Sequence, residues 1–194
     1  MMEWLIRTAK LLAMTVPTLV AACATTPPVE RVPPALRGEI GEVTVLIFGS
    51  VDCPIANAYA PEIERIYEQC LTRSVKMFYV HPTVGVTSAD AIKHAQEVRL
   101  TVPIALDPDH IIVRAVGATV TPEAAVIRFI EADQFDLVYR GRIDDFYAGI
   151  GKRRARASTR ELLDAIDAAI DGRVPAVART TPVGCFIEPA PAGR

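Results

Sequence analysis

The sequence lacks the blocks of like charge that mark a nucleic-acid-binding protein. Its 21 lysine and arginine residues nearly balance 23 aspartate and glutamate residues, and the formal net charge is −2. The densest basic run, residues 152–156, is typical of a solvated loop. Because binding to a phosphate backbone requires a basic surface, we expect no nucleic-acid partner.

The chain also lacks a recognisable transmembrane segment near its start. The apolar stretch of residues 11–22 is too short to span a bilayer stably, and it follows the basic residues Arg7 and Lys10. This combination is typical of a signal peptide. We predict such a peptide over residues 1–22, and therefore export of the protein.

Small residues precede the first cysteine. The run from Leu19 to Cys23 resembles the lipobox of bacterial lipoproteins, which implies that Cys23 is lipidated. The protein would then be anchored to a membrane and face the periplasm or the cell exterior. Residues 23–35 are rich in proline and are predicted to form a tether. An ordinary cleavage site with an incidental Cys23, or an uncleaved anchor, is the alternative.

Cysteine is scarce, with four residues in 194. If Cys23 carries lipid, Cys53, Cys70 and Cys185 remain for redox or metal chemistry, and an odd number outside the cytoplasm needs a functional explanation. The sequence has no glycine-rich phosphate loop, no Ser-His-Asp ordering and no paired-carboxylate signature. The candidate chemistry is therefore that of thiols.

Apolar periodicity predicts alternating strands and helices. Residues 42–48 form a continuous apolar run typical of a buried strand, and a helical pattern covers residues 55–70 with Pro61 expected to kink or start it. A strand over 75–80 and a helix starting at Ser88–Asp90 follow, then a strand over 102–106 and a helix over 110–116 ended by Gly117.

The pattern in the second half of the sequence predicts an antiparallel hairpin and a last helix. The hairpin strands cover residues 124–130 and 136–139, and the helix is capped by Thr159 and closed by Gly172. Together the elements predict an α/β protein, a three-layer α/β/α sandwich with a mixed central sheet. We assign this domain to residues 36–175, and residues 176–194 to a C-terminal extension that carries Cys185.

Four features give the chain a family resemblance. They are Cys53-Pro54 between a strand and a helix, Pro61 eight residues later, Thr121-Pro122 opening the hairpin, and the segment from Tyr139 to Asp145 after it. In these the chain resembles the redoxin branch of the thioredoxin-like superfamily, which includes peroxiredoxins and membrane-anchored thiol-disulfide oxidoreductases. The resemblance implies that Cys53 is the nucleophile and that a cis Thr121–Pro122 bond faces it and positions the substrate.

The position of Cys53 suits a reactive thiol. A sulfur at a helix N-terminus meets unpaired N–H groups and the positive end of the helix dipole, both of which favour the thiolate. Because Asp52 and Pro54 flank it, we expect Cys53 at an exposed corner of the molecule rather than in the core.

The chain departs from the family pattern at the residues that would act together with Cys53. Ala56 stands where thioredoxin-like oxidoreductases place a second cysteine. Cys70 lies 17 residues farther along the helical segment, about 25 Å away at 1.5 Å per residue, which is too far for a disulfide. Cys185 is the one plausible intrachain resolving thiol, with Gly184 allowing a close approach. A peroxidase of the ordinary kind is not expected, because Leu46 and Pro122 occupy its proline and arginine positions.

We therefore predict a thiol-based redox protein, a thiol-disulfide oxidoreductase or a related antioxidant protein, with Cys53, Cys185, Thr121 and Pro122 at its site. Its partners would be a disulfide or peroxide substrate, protein or small molecule, and a thiol reductant; no cofactor is predicted. The alternative is a copper(I) or zinc module that uses Cys53, Cys185 and His81, since thiolates with imidazole suit those metals. A non-catalytic scaffold is a third possibility. His94 and His110 are expected on helix surfaces or at caps.

Overall fold

A computed structural model describes residues 37–189. The predicted signal peptide and the whole of the predicted tether, with Cys23, lie outside the described residues. Within that range the elements follow in this order: β1 Val43–Phe48, α1 Pro54–Ala58, α2 Ala60–Leu71, β2 Lys76–His81, α3 Ser88–Val98, β3 Ile104–Leu106, α4 Ile111–Val116, β4 Val120–Thr121, β5 Glu123–Glu131, β6 Gln134–Gly141, β7 Tyr147–Gly149, β8 Lys152–Arg153, α5 Glu161–Ile170 and β9 Cys185–Phe186.

The main sheet has five strands in the order β3-β2-β1-β5-β6. Strand β1 pairs in parallel with β2, which pairs in parallel with β3, whereas β5 runs antiparallel to β1 and to β6. The sheet is therefore mixed, as predicted. Two short pairs, β4 with β9 and β7 with β8, lie outside it.

Strand β1 supplies both faces of the sheet with apolar side chains. Val45 and Ile47 belong to a buried cluster that includes residues of α1, α2, α3 and α5. Leu46 and Phe48 belong to a second cluster, which includes residues of α4. Because successive strand residues point to opposite faces, a continuous apolar run buries both, and the predicted three-layer arrangement is confirmed.

Some element boundaries differ from the sequence predictions. The helical segment is divided at Tyr59, and Pro61 lies in the first turn of α2, because proline cannot donate the hydrogen bond that a continuous helix requires. The cap of α3 is Thr87, paired with Asp90. At α5 the N-cap residue is Arg160, while the Thr159 hydroxyl donates to Glu161 instead.

The hairpin is tighter than predicted. Strand β6 begins at Gln134, and its side chains are only partly buried along most of its length. The partial burial explains why the apolar pattern of the sequence did not predict the start of β6. None of the helices between residues 37 and 189 is long and apolar enough to cross a membrane.

The packing of α5 on the sheet can be tested with Leu162→Ala. Leu162 is fully buried in the larger cluster, so we expect a loss of about 2–5 kcal/mol in the free energy of unfolding. Chemical denaturation measures the loss, with Ile150→Ala as the control because the Ile150 side chain is 78% exposed. Equal, small effects of the two substitutions would contradict this packing.

Candidate active site

Cys53 lies where the end of β1 meets the start of α1. It is the N-cap residue of α1, in an extended backbone conformation, and its sulfur accepts a hydrogen bond of 3.5 Å from the Ala56 N–H. Pro54 opens the helix, where its missing N–H costs nothing. The predicted placement of Cys53 at a helix N-terminus is therefore what the structure shows.

The expectation that Cys53 occupies an exposed corner is wrong. Only 1% of the residue is exposed, because Thr121 and Cys185 lie over it from elsewhere in the chain. The Cys53 thiol, in its protonated form, donates to the Thr121 carbonyl oxygen at 2.9 Å. The sulfur thus sits beneath a cover of backbone rather than in contact with open solvent.

The Thr121–Pro122 peptide bond is cis and lies opposite Cys53. The adjoining strand β4 is held by the buried Glu123 carboxylate, which accepts from the Thr119 and Val120 N–H groups at 2.6 and 3.2 Å. Arg140 pairs with the same carboxylate at 3.3 Å. Glu123 is a site residue that was not predicted, although a carboxylate in an otherwise apolar strand indicates a buried polar contact.

The charged residues at the end of β6 and in the segment after it form ion pairs. Asp144 differs from its neighbours, since it accepts from the Tyr59 hydroxyl at 2.6 Å and from the Phe146 N–H at 2.8 Å. Burial raises its pKa above the usual value. The ion pairs are Arg140 with Glu123, Arg142 with Glu161 and Arg154 with Asp145.

Cys185 reaches the site through the short strand β9. This strand runs antiparallel to β4 and sets Cys185 opposite Thr121. Gly184 allows the approach, because a Cβ atom there would overlap the Thr121 carbonyl oxygen. The structure therefore brings Cys53, Thr121, Pro122 and Cys185 together. Cys70 lies apart, buried in α2, where burial raises the pKa of its thiol to about 11.

The two cysteines influence each other's acidity. Burial acts to raise the pKa of Cys53, but hydrogen bonds from the Ala56 N–H, the Cys185 thiol and the Thr121 side chain outweigh it, and the pKa lies below the usual value. The pKa of Cys185 rises to about 11, mainly because its thiol proton interacts with the Cys53 sulfur, and to a smaller extent because its sulfur loses some contact with water, although the residue as a whole is exposed. Cys53 is therefore the more acidic thiol of the pair.

A pocket of about 440 Å³ opens beside the two sulfurs. Part of its wall comes from the loops after β1 and β2, where the Thr83 hydroxyl donates to the Ser50 hydroxyl at 3.2 Å. The rest comes from Thr121 and the chain after Gly184. The lining residues are Ser50, Asp52, Cys53, Pro82, Thr83, Val84, Thr121, Cys185, Phe186, Ile187, Glu188 and Pro189.

The histidines lie in the interior. His81 is buried against Tyr79 and His94, its ring nitrogens make no hydrogen bond, and burial lowers its pKa to about 4. His94 is buried and donates to the Asn57 side chain at 2.8 Å, so its predicted surface position is wrong. His110 does precede α4, as a cap residue would, but its ring donates to the Pro82 carbonyl oxygen.

Residues 37–189 contain no group of three His, Cys, Asp or Glu side chains placed to hold a metal ion. The structure therefore does not assemble the alternative site of Cys53, Cys185 and His81. His81 points into the cluster with Tyr79 and His94, and burial keeps its ring neutral.

The strand order and the arrangement of the site are those of the thioredoxin-like fold, as the sequence resemblance implied. The strand order, the cysteine at the N-terminus of the helix after β1 and the cis-proline before β5 together define it. The chain is thus a thioredoxin-like protein in its fold.

Comparisons with known proteins agree at the level of fold. No protein-family model matches the chain, and no curated protein matches its sequence. Solved structures do: an uncharacterised Geobacillus kaustophilus protein has 20% identity over 79% of this chain and 80% of its own, with a TM-score of 0.63. A hypothetical Sinorhizobium meliloti protein has 19% identity over 78% and 82%, with a TM-score of 0.64. A secreted Mycobacterium tuberculosis disulfide oxidoreductase has 15% identity over 69% and 83%, with a TM-score of 0.42.

Because contact with Cys185 lowers the pKa of Cys53, it predicts the pH at which alkylation of Cys53 reaches half its maximal rate. In the native protein the midpoint should lie below the value of about 8.5 for a free cysteine. Cys185→Ala removes the donor and should raise the midpoint, whereas Cys185→Ser keeps a hydroxyl donor at similar burial and should raise it less. Rates of iodoacetamide labelling at Cys53, followed by peptide mass spectrometry, give the three midpoints. A native midpoint at or above that of free cysteine would contradict the thiolate assignment.

Proposed function

We propose that this protein is a thiol-disulfide oxidoreductase or a related antioxidant protein of the cell envelope, with Cys53 as nucleophile and Cys185 as resolving thiol. The observation that carries the proposal is the pairing of β9 with β4, which lowers the pKa of Cys53 through its contact with Cys185 and places Cys185 beside that sulfur, opposite Thr121. A nucleophile requires the first property, and a resolving group requires proximity to that nucleophile.

The first step is an exchange at Cys53. Its thiolate attacks one sulfur of a substrate disulfide, forms a mixed disulfide with that half, and releases the other half as a thiolate. A hydroperoxide would instead oxidise Cys53 to a sulfenic acid and leave as an alcohol or water. Thr121 and Pro122 lie beside the sulfur and position the substrate.

The second step transfers the bond to Cys185. Its thiol loses a proton and attacks the Cys53 sulfur, which forms the Cys53–Cys185 disulfide and expels the second substrate thiolate, or water from a sulfenic acid. Two electrons have then passed from the thiols to the substrate, and an external thiol reductant restores both cysteines.

The acidity of Cys185 changes at the moment when it is needed. Its raised pKa depends first on the hydrogen bond to Cys53, and the Cys53 charge adds to it. Once Cys53 has entered a mixed disulfide, its negative charge is gone. The pKa of Cys185 then falls toward the ordinary value, and its thiolate becomes available for the attack.

Replacing each cysteine separates these roles. Cys53→Ser should slow reduction of a small neutral disulfide, bis(2-hydroxyethyl) disulfide, by roughly a hundredfold or more, because a hydroxyl is not ionised as a thiolate is. Cys185→Ser should react once and then accumulate the mixed disulfide on Cys53, visible as one added substrate half by mass spectrometry. Cys70→Ala is the control and should turn over normally. Full turnover by Cys185→Ser would exclude Cys185 as the resolving thiol.

We also propose that Cys23 carries a lipid that anchors the domain to a membrane, which its lipobox-like sequence supports. Expression in a bacterium with a radiolabelled fatty acid should label the native protein and leave Cys23→Ser unlabelled. Cys70→Ser serves as the matched cysteine control and should keep the label. Equal labelling of native protein and Cys23→Ser would contradict the anchor.

A further inference from the structure

Residues 182–188, here called the strap, follow a firmly held part of the C-terminal extension. The Arg140 N–H donates to the Ala178 carbonyl at 3.1 Å, and the Thr180 N–H donates to the Arg140 carbonyl at 3.2 Å. The Thr180 hydroxyl also bonds to the Tyr139 hydroxyl and accepts from the Arg142 N–H, at 2.6 and 2.9 Å. The chain is thus hydrogen-bonded to the end of β6 as far as Thr180, and the strap begins two residues later.

The strap itself is held by a short strand pairing and by two apolar contacts, one of which is the packing of Val183 against the larger cluster. It forms β9 against β4, and the Ile187 N–H donates to the Thr119 carbonyl at 3.0 Å. The Ile187 side chain packs against the buried cluster under α4, whereas Phe186 between these points is 85% exposed. Such a short pairing can open while the domain stays folded.

The strap lies where an extended polypeptide would bind. Strand β4 has two residues and, in the described part of the chain, pairs only with β9. Backbone groups at a strand edge bind an incoming extended chain by adding a strand. Because Cys185 and Phe186 already use that edge, a polypeptide cannot pair with β4 until the strap leaves it.

The pocket remains open when the strap is docked. The strap contributes part of its wall, and both sulfurs line it. Among the residues that the structure describes, Asp52 and Glu188 are the charged members of the lining, and none of its members is a lysine, arginine or histidine. Two carboxylates without a cation repel anions, so this route suits small and neutral reagents.

We propose that the strap is an access gate: while it pairs with β4, Cys53 is open only to small neutral reagents through the pocket, and polypeptides reach Cys53 only after the strap is released. This inference rests on the proposed function in taking Cys53 as the reactive thiol. It concerns access to that thiol and does not depend on the identity of the physiological substrate.

Gly184→Ala should release the strap without altering a cysteine, because the new Cβ would overlap the Thr121 carbonyl oxygen. Gly149→Ala is the matched control, since a Cβ at that half-buried strand position meets nothing within 4 Å. Ile187→Ser is a second releasing variant, which removes the apolar contact instead. Circular dichroism and thermal unfolding establish that each variant is folded.

The experiment compares labelling rates of Cys53 in the reduced full-length protein, read by peptide mass spectrometry. In native protein and Gly149→Ala, plain maleimide should label Cys53 much faster than a polymer-linked maleimide, and iodoacetamide faster than the anionic iodoacetate. In Gly184→Ala and Ile187→Ser, labelling by the polymer-linked reagent should rise by roughly tenfold, the scale on which overpacking shifts a local equilibrium.

Two results would overturn the gate. One is equal labelling of native Cys53 by the plain and polymer-linked maleimides, and the other is an unchanged size preference in both releasing variants. Labelling requires no disulfide turnover, so the proposed function is tested separately. A protein that keeps the size preference but fails to reduce disulfides would retain the gate and lose the proposed activity.

Discussion

The backbone pairing of β9 with β4 sets Cys185 opposite Thr121 and beside Cys53, and three properties of the site depend on this pairing. It covers Cys53, which would otherwise face solvent at the helix N-terminus. It supplies one of the hydrogen bonds that lower the Cys53 pKa. It also completes the wall of the pocket. Removing the strap would therefore change access, acidity and pocket shape together.

The covered sulfur shows how burial and hydrogen bonding compete. Loss of water disfavours a thiolate, and burial alone raises the pKa of Cys70 to about 11. Cys53 is as little exposed as Cys70, but the pKa of its thiol is lowered because it faces hydrogen-bond donors at the start of α1 and in β9. The same fold thus holds one inert thiol and one activated thiol, and the difference lies in the donors around each sulfur.

Local patterns in the sequence were enough to predict the fold. The continuous apolar run of β1, the glycine that ends α4 and the hairpin each act over a few residues, and the sheet follows from their order. Tertiary contacts were harder: Cys53 is buried by a residue near the end of the chain, and His94 is buried through Asn57 on another element. The position of Cys185 was predicted by eliminating the other cysteines and from Gly184 before it, since no periodicity shows where an extension will dock.

Because the second thiol lies on the strap, one segment both covers β4 and carries the thiol next to Cys53. A second cysteine in α1 would separate these two roles. A docked strap excludes polypeptides from β4 and also holds Cys185 against Cys53. A released strap admits a polypeptide but removes the thiol that would resolve its mixed disulfide. Small substrates meet both thiols at once, whereas a polypeptide would stay bound to Cys53 until the strap returned. Under the proposed function and the proposed gate, this arrangement favours turnover of small neutral substrates over polypeptides, and the preference comes from geometry rather than from a different nucleophile.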